Sequence, residues 1–174
     1  IIAKMNSLCD PAIIHALYEA SNAGVKIELI VRGICCLKTG IPGLSENITV
    51  RSIVGNFLEH ARIFYFYNDG FEDVYMGSAD WMPRNLDKRV EITFPVEDED
   101  LKKRVIEILE IQLSDTLKAH ILQPDGTYEK QDLRGREKLE AQAYFCKQAM
   151  GALKEDDKKK VSRIFIPRMK IGDQ

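Results

Sequence analysis

Aliphatic runs and helical repeats alternate from the first residue. IIAKM, residues 1–5, and VKIELIV, residues 25–31, are short apolar runs broken by single charges, as strands of a buried sheet are. Between them AIIHALYEASNAG places Ile13, Ile14, Leu17 and Ala20 on one face of a helix. Asp10 stands where a cap accepts from the first turn, Pro11 suits the first helical position, and Gly24 ends the element. Strand, helix, strand in this order is the unit that builds a parallel sheet, with Arg32 and Gly33 closing the second strand at its carboxyl end.

ITVRSI and ARIFYFY predict two more strands, joined by VGNFLEH as a short helical or irregular bridge. Period-two alternation puts His60, Arg62 and Phe64 on one side of the second strand and Ala61, Ile63 and Tyr65 on the other. NDG turns the chain into DVYMGSAD as a hairpin partner, and KRVEITFPV predicts a further strand. EDEDLKKRVIEILEIQLSD is the clearest helix, acidic in its first turn, with Leu101, Val105, Ile108, Leu109 and Gln112 on one stripe. KAHILQ and GTYEK flank a PDG turn as a small exposed hairpin, REKLEAQAYFCKQAMGAL predicts a last amphipathic helix, and EDDKKK begins a solvated tail. The fold class is α/β, with one domain over residues 1–153 and a tail over 154–174. IIAKM reads as a strand already under way, with no initiator Met, so the chain is expected to be a piece of a longer protein.

Composition narrows the function classes. A chain of 174 residues, 45% hydrophobic, can bury one good core. Its 25 Lys and Arg against 27 Asp and Glu leave a net charge of -2, so no global basic field points to nucleic acid, and any anion site must be local. Cys9, Cys35, Cys36 and Cys146 make no CxxC pair and the three histidines are scattered, which argues against a zinc site. No secretory signal is present and no apolar run approaches the roughly 20 residues that span a bilayer. A cytoplasmic protein is expected, with association at a membrane surface left open.

The candidate chemistry gathers at strand ends. The loop ICCLKTGIPGLSEN is long and rich in Gly and Pro, and it follows a strand end of the kind that forms the ligand crevice in open α/β sheets. Arg32 precedes it, His60 and Arg62 begin another strand, and RNLDKR spans Arg84 to Arg89. Arginine forks match phosphate oxygens, and a histidine can donate to or accept a proton from a phosphoryl oxygen. GSADW adds Ser78 in a turn that offers hydroxyl and backbone donors to an anion, although a tight turn before a packed Trp81 explains it equally well. Scattered surface charge is the competing account of the basic residues. His15, sharing a helical face with Glu19 and Asn22, and His120, near the PDG turn, are expected at the surface, and Cys35 and Cys36 as small buried hydrophobes.

KMNSLCDPAIIHALYEASNAGVKIELIVRGICCL, GIPGLSENITVRSIVGNFLEHARIFYF and GSADWMPRNLDKRVEI together resemble the last domain of bacterial polyphosphate kinase of the first type, from residue 1 to about residue 150. The resemblance implies a phospholipase D-like mixed sheet with helices on both faces. It implies an enzyme that reversibly transfers the terminal phosphate of ATP to a growing polyphosphate chain through a phosphohistidine in the preceding domain. The family's nucleotide-contacting arginine falls on Arg32, and its second important histidine on His60, which is therefore a supporting residue and not the nucleophile. Arg89, Arg84, Arg62 and Ser78 complete the expected ATP and phosphate contacts. Mg2+ is expected with ATP, held outside these residues, and the partners are ATP or ADP, polyphosphate, the other domains of the same chain and further copies in a homo-oligomer.

Against the wider phospholipase D pattern H-x-K-x4-D followed by G-S-x-N, Arg62 stands for Lys, Tyr67 for Asp and Asp80 for Asn. The Asp that would orient a nucleophilic imidazole is thus missing from its place. A phosphodiesterase half-site, or a domain serving only assembly, are the competing readings.

Overall fold

Two parallel crossovers form the centre of the sheet. The computed structural model describes residues 1–159, with side chains through residue 152. In chain order the elements are β1 (Ile2–Met5), α1 (Pro11–Asn22), β2 (Ile27–Val31), β3 (Ile48–Ile53), β4 (Arg62–Phe66) and β5 (Asp73–Gly77). There follow α2 (Pro83–Lys88), β6 (Thr93–Pro95), α3 (Glu99–Leu113), β7 (Ala119–Leu122), β8 (Tyr128–Lys130) and α4 (Ala141–Lys159).

The strands make one sheet of eight in the order β6-β5-β4-β1-β2-β3-β7-β8. β1, β2 and β3 run parallel, with Ile2 opposite Glu28 and Ile27 opposite Ile48, while every other pairing is antiparallel. The hairpin β7-β8 is no separate appendage, since Arg51 of β3 pairs with Ile121 of β7 and carries the sheet onward.

Alternation along the strands explains why both faces are covered. Ala3, Met5, Leu29, Val31, Val50 and Phe64 point to the side where α1 packs through Leu17, Ile13 and Ile14. Ile30, Ile53, Ile63 and Val74 point to the other, where α3 brings Leu109, Val105 and Ile108. The sheet is a mixed α/β sheet with a helix on each face. Asp10 caps α1 by accepting from Ile13 N at 2.9 Å, Pro11 begins it, and Gly24 follows it at φ +85°, a left-handed position suited to glycine. Asp98 caps α3 in the same way, accepting from the N–H groups of Asp100 and Leu101 at 3.0 and 2.9 Å.

Several boundaries differ from the sequence reading, each for a local reason. KRVEITFPV pairs only over Thr93–Pro95, and its basic start belongs instead to the region of α2, which Pro83 initiates without a side-chain cap. Leu101, expected on the buried stripe of α3, is 61% exposed, because the sheet covers the helix only from its second turn. The last helix begins at Ala141 rather than near Arg136, since Asp115 Oδ2 accepts the Ala141 N–H at 2.8 Å and sets the first turn there. α4 runs past residue 154, and most of the expected tail, residues 160–174, lies outside the described residues. The chain divides into two compact units, Ile1–Gln142 and Ala143–Gln174; in the second, the Tyr144 and Phe145 rings meet edge to face at 5.8 Å.

Leu109 has no exposed surface at the centre of the α3 face. Leu109→Ala should therefore cost about 2–5 kcal/mol in denaturant unfolding. Leu101→Ala should stay within about 0.5 kcal/mol of wild type, as an exposed change does.

Candidate functional site

Four elements end at the same edge of the sheet. β5 runs in the direction of β1 and β2, and β4 runs against them, so the ends of β1, β2 and β5 meet the start of β4. Asn6 follows β1, Arg32 follows β2, Arg62 opens β4 and Asp80 lies three residues beyond β5. At this edge Arg62 donates from Nε to Asp80 Oδ1 at 3.1 Å and from Nη2 to Oδ2 at 3.0 Å, a two-point fork on the carboxylate. Its remaining Nη1 donates to the His60 carbonyl at 2.8 Å. Asp80 Oδ1 also accepts from Asn6 N at 2.7 Å and Asn6 Nδ2 at 3.3 Å, and the Asn6 Oδ1 accepts from Arg32 Nε at 3.0 Å. One continuous chain of hydrogen bonds thus joins Arg32, Asn6, Asp80, Arg62 and the backbone of His60.

The turn that carries Asp80 is itself fastened. Trp81 O accepts from Cys9 N and Asp10 N at 2.8 and 3.0 Å, tying it to the entry of α1, and the Trp81 ring stacks on Phe64 at 5.0 Å between centroids. Packing of Trp81 and placement of Asp80 at this edge are therefore parts of one arrangement. Burial pushes the Asp80 carboxyl up, but the hydrogen bonds and charge of Arg62, with the hydrogen bonds of Asn6, outweigh it and hold the group below its ordinary value. Asp80 is 5% and Arg62 9% exposed, so the pair is a buried ion pair.

The other expected residues divide. His60 lies before β4, not within it: the Asn6 N–H bonds the Asp80 side chain, the ladder between β1 and β4 stops at Ile63, and the His60 side chain is exposed. Arg62 and Phe64 do share a face, but Arg62 has its donors engaged on Asp80 and His60, which does not suit a phosphate ligand. The Ser78 hydroxyl donates to Glu91 and accepts from Ile92 N at 3.1 Å, and Asn85 Nδ2 donates to the same Glu91 at 2.6 Å. Those two hydrogen bonds, with the charges of Arg89 and Arg62, hold Glu91 below its ordinary value. Arg84 on α2 and Arg89 just after it are exposed, and Arg89 reaches the network only through its field on Glu91.

Tyr67, where the wider pattern has Asp, lies at the far end of β4, lining an open cavity of about 630 Å³ with Ile1, Phe66 and Tyr75. His15 is exposed and 3.4 Å from Glu19, whereas His120 is half-buried, with Nδ1 3.0 Å from the Lys118 carbonyl. Cys35 packs partly against the core, but Cys36 is exposed, because the strand-like bridge of Leu8 to Cys35 turns alternate side chains outward. Burial, with Cys36 alongside, pushes the Cys9 thiol up to about 11, and burial raises Cys35 too, so neither supplies a thiolate at neutral pH.

The polyphosphate kinase C-terminal domain 2 family model matches residues 1–142. The chain belongs to this family. A polyphosphate kinase of Lactiplantibacillus plantarum is 56% identical over 153 residues, covering 88% of this chain and 21% of that protein. One from Synechocystis is 55% identical over 157 residues, 90% of this chain and 22% of the other. The crystal structure of polyphosphate kinase from Porphyromonas gingivalis superposes with a TM-score of 0.83 at 44% identity, over 88% of this chain and 24% of that one. The chain thus spans about a fifth of the length of the curated relatives it matches.

Within this family domain, the two residues that depart from the G-S-x-N and H-x-K pattern, Asp80 and Arg62, are each other's partners. Asn6 was invisible to spacing, because it meets Asp80 across 74 residues of sequence. Asp80→Asn, which removes one charge of a buried pair, should cost about 3–5 kcal/mol near neutral pH. The folded pKa of Asp80 lies below its unfolded value of about 3.9, so its contribution is complete above that value and disappears as pH falls through the folded pKa. Urea midpoints followed down from neutral pH should fall more steeply in acid for wild type than for Asp80→Asn; parallel curves contradict the pairing.

Proposed function

We propose that this domain holds ATP and polyphosphate phosphates for a polyphosphate kinase that reversibly moves the terminal phosphate of ATP to the polymer, through a phosphohistidine carried by a neighbouring domain of the longer protein. The observation that supports it most is the state of Arg32. Its Nε is aimed by Asn6, and among the described residues no hydrogen bond uses its two Nη groups, which leaves a fork pre-oriented for phosphate oxygens.

Phosphoryl transfer asks the protein mainly for positioning and charge neutralisation. Arg32 supplies the fork, and the exposed Arg89 and Arg84 supply positive charge for chain phosphates. His60 hydrogen-bonds the phosphoryl group in transit or carries its proton. Arg62 acts from below, fixing the His60 backbone instead of touching phosphate. Ser78 positions Glu91 and contributes no free donor.

The site's carboxylates do not fit a Mg2+ centre: Asp80 is engaged by Arg62 and Asn6, Glu59 by Lys4 and Gln142, and Glu91 by Ser78 and Asn85. The ion would arrive with ATP, held by its phosphates and by residues outside this chain. A phosphodiesterase half-site is disfavoured because the basic residue of its pattern is locked on Asp80. The remaining proposed partners are the other domains of the protein and further copies of it; among the described residues no helix is long and apolar enough to cross a membrane.

In a kinase of the relatives' full length carrying this sequence, His60→Ala should lower turnover by a factor on the order of a hundred to ten thousand, the usual cost of a lost proton donor. Arg32→Ala should raise the KM for ATP. The isolated chain, given ATP radiolabelled at the terminal phosphate, should acquire no acid-labile label. Stoichiometric label on His60, or wild-type turnover of His60→Ala, contradicts the supporting role.

A further inference from the structure

The segment that presents His60, residues 54–61, has no regular structure and exposes Val54, Phe57 and Leu58. Nothing in its composition would hold it in place. Its fixed point is Glu59, whose carboxylate receives donors from three separate elements. Lys4 Nζ of β1 lies 3.4 Å from Oε2, Gln112 Nε2 of α3 donates to the same oxygen, and Gln142 Nε2 at the start of α4 donates to Oε1 at 3.0 Å. Lys4 and Gln112 are each 3% exposed and Gln142 6%, so this is an interior contact made by a surface segment.

Gln142 does more than meet Glu59. Its Oε1 accepts from Phe57 N at 3.0 Å and its Nε2 donates to Phe57 O at 2.9 Å, so one carboxamide satisfies both backbone groups of a residue 85 positions away. Gly55 makes room for it: a Cβ there would overlap the Gln142 carboxamide. The His60 carbonyl is held in turn by Arg62 Nη1. Residues 57, 59 and 60 are therefore anchored in succession while the imidazole stays outside.

We propose that Lys4, Glu59 and Gln142 form a positioning clamp that sets where His60 stands during phosphoryl transfer, acting through the backbone and touching no phosphate. The inference rests on the role given to His60 above. Burial lowers the Lys4 ammonium while Glu59 raises it, and the nearby Arg32 and Arg62 lower it further, so Lys4 is held in place at a cost in solvation. A buried pair of that kind adds little net stability, and its value lies in geometry. Misplacing a reacting group by about 1 Å can cost on the order of a hundredfold in rate.

The test uses a full-length kinase carrying this sequence. Gln142→Met keeps the bulk over Gly55 and removes the hydrogen bonds. Its kcat for polymer synthesis should fall about a hundredfold, with the KM for ATP unchanged and the Tm close to wild type. In the His60→Ala background the same substitution should cost nothing further, because a clamp acting through His60 has no other target. Gly55→Ala, which displaces the carboxamide from the other side, should reproduce both results and serves equally where Gln142→Met folds poorly. Losses that multiply in the double variants, or wild-type kcat in both single variants, overturn the clamp while leaving the role of His60 standing. Full activity of His60→Ala alone overturns that role and the clamp with it.

Discussion

Arg62 and Asp80 have to be buried together, because either one alone would leave an uncompensated charge under the sheet edge, and most of the site is arranged around that requirement. The Asp80 carboxylate can accept more than the two bonds Arg62 offers, and the backbone and side chain of Asn6 take the remainder. That in turn turns Asn6 Oδ1 toward Arg32, and Arg62 Nη1 reaches the His60 carbonyl. A buried ion pair is a poor source of net stability, since desolvation offsets most of the attraction. Here it supplies direction: Asn6, bonded to Asp80, aims Arg32, and Arg62 holds the His60 carbonyl.

The same logic explains how a chain of net charge -2 can still leave a cation with open donors at one edge. Arg32 and Arg62 both repel Lys4 and lower its ammonium. Glu59 neutralises Lys4, and Asp80 neutralises Arg62, which leaves Arg32, of these three, with Nη groups that no hydrogen bond uses among the described residues. Where a local anion site can lie depends on which charges are paired and not on the total charge.

How much of this could be read from sequence depends on how far apart the partners lie. The opening strand, α1 and β2 were legible because cap, apolar face and terminal glycine sit within one short stretch, and α3 because its stripe repeats over fifteen residues. The hairpin of β4 and β5 was legible from its turn. α2 was missed because Met82 offers no side-chain cap, and the start of α4 because its cap, Asp115, is 26 residues upstream. At the site, Arg32, His60 and Arg62 stood out by residue type at strand ends, but Asn6 and Gln142 did not, since amides join networks through contacts no spacing encodes. Lys4 did leave a signal: a lysine inside an aliphatic strand must find a buried partner. Tyr67 and Asp80 looked like losses from a pattern, and only the structure distinguishes them, one lying at the far end of β4 and the other paired with Arg62.

The proposed site requires the phosphate to meet Arg32 and His60 while Arg62 stays committed to Asp80. A crystal structure of the full-length kinase with a non-hydrolysable ATP analogue tests it most directly. Phosphate oxygens are expected within hydrogen-bond distance of the Arg32 Nη groups and the His60 ring, with the fork of Arg62 on Asp80 intact. A phosphate bound by Arg62 with Asp80 displaced, or one seated away from this edge of the sheet, would contradict it.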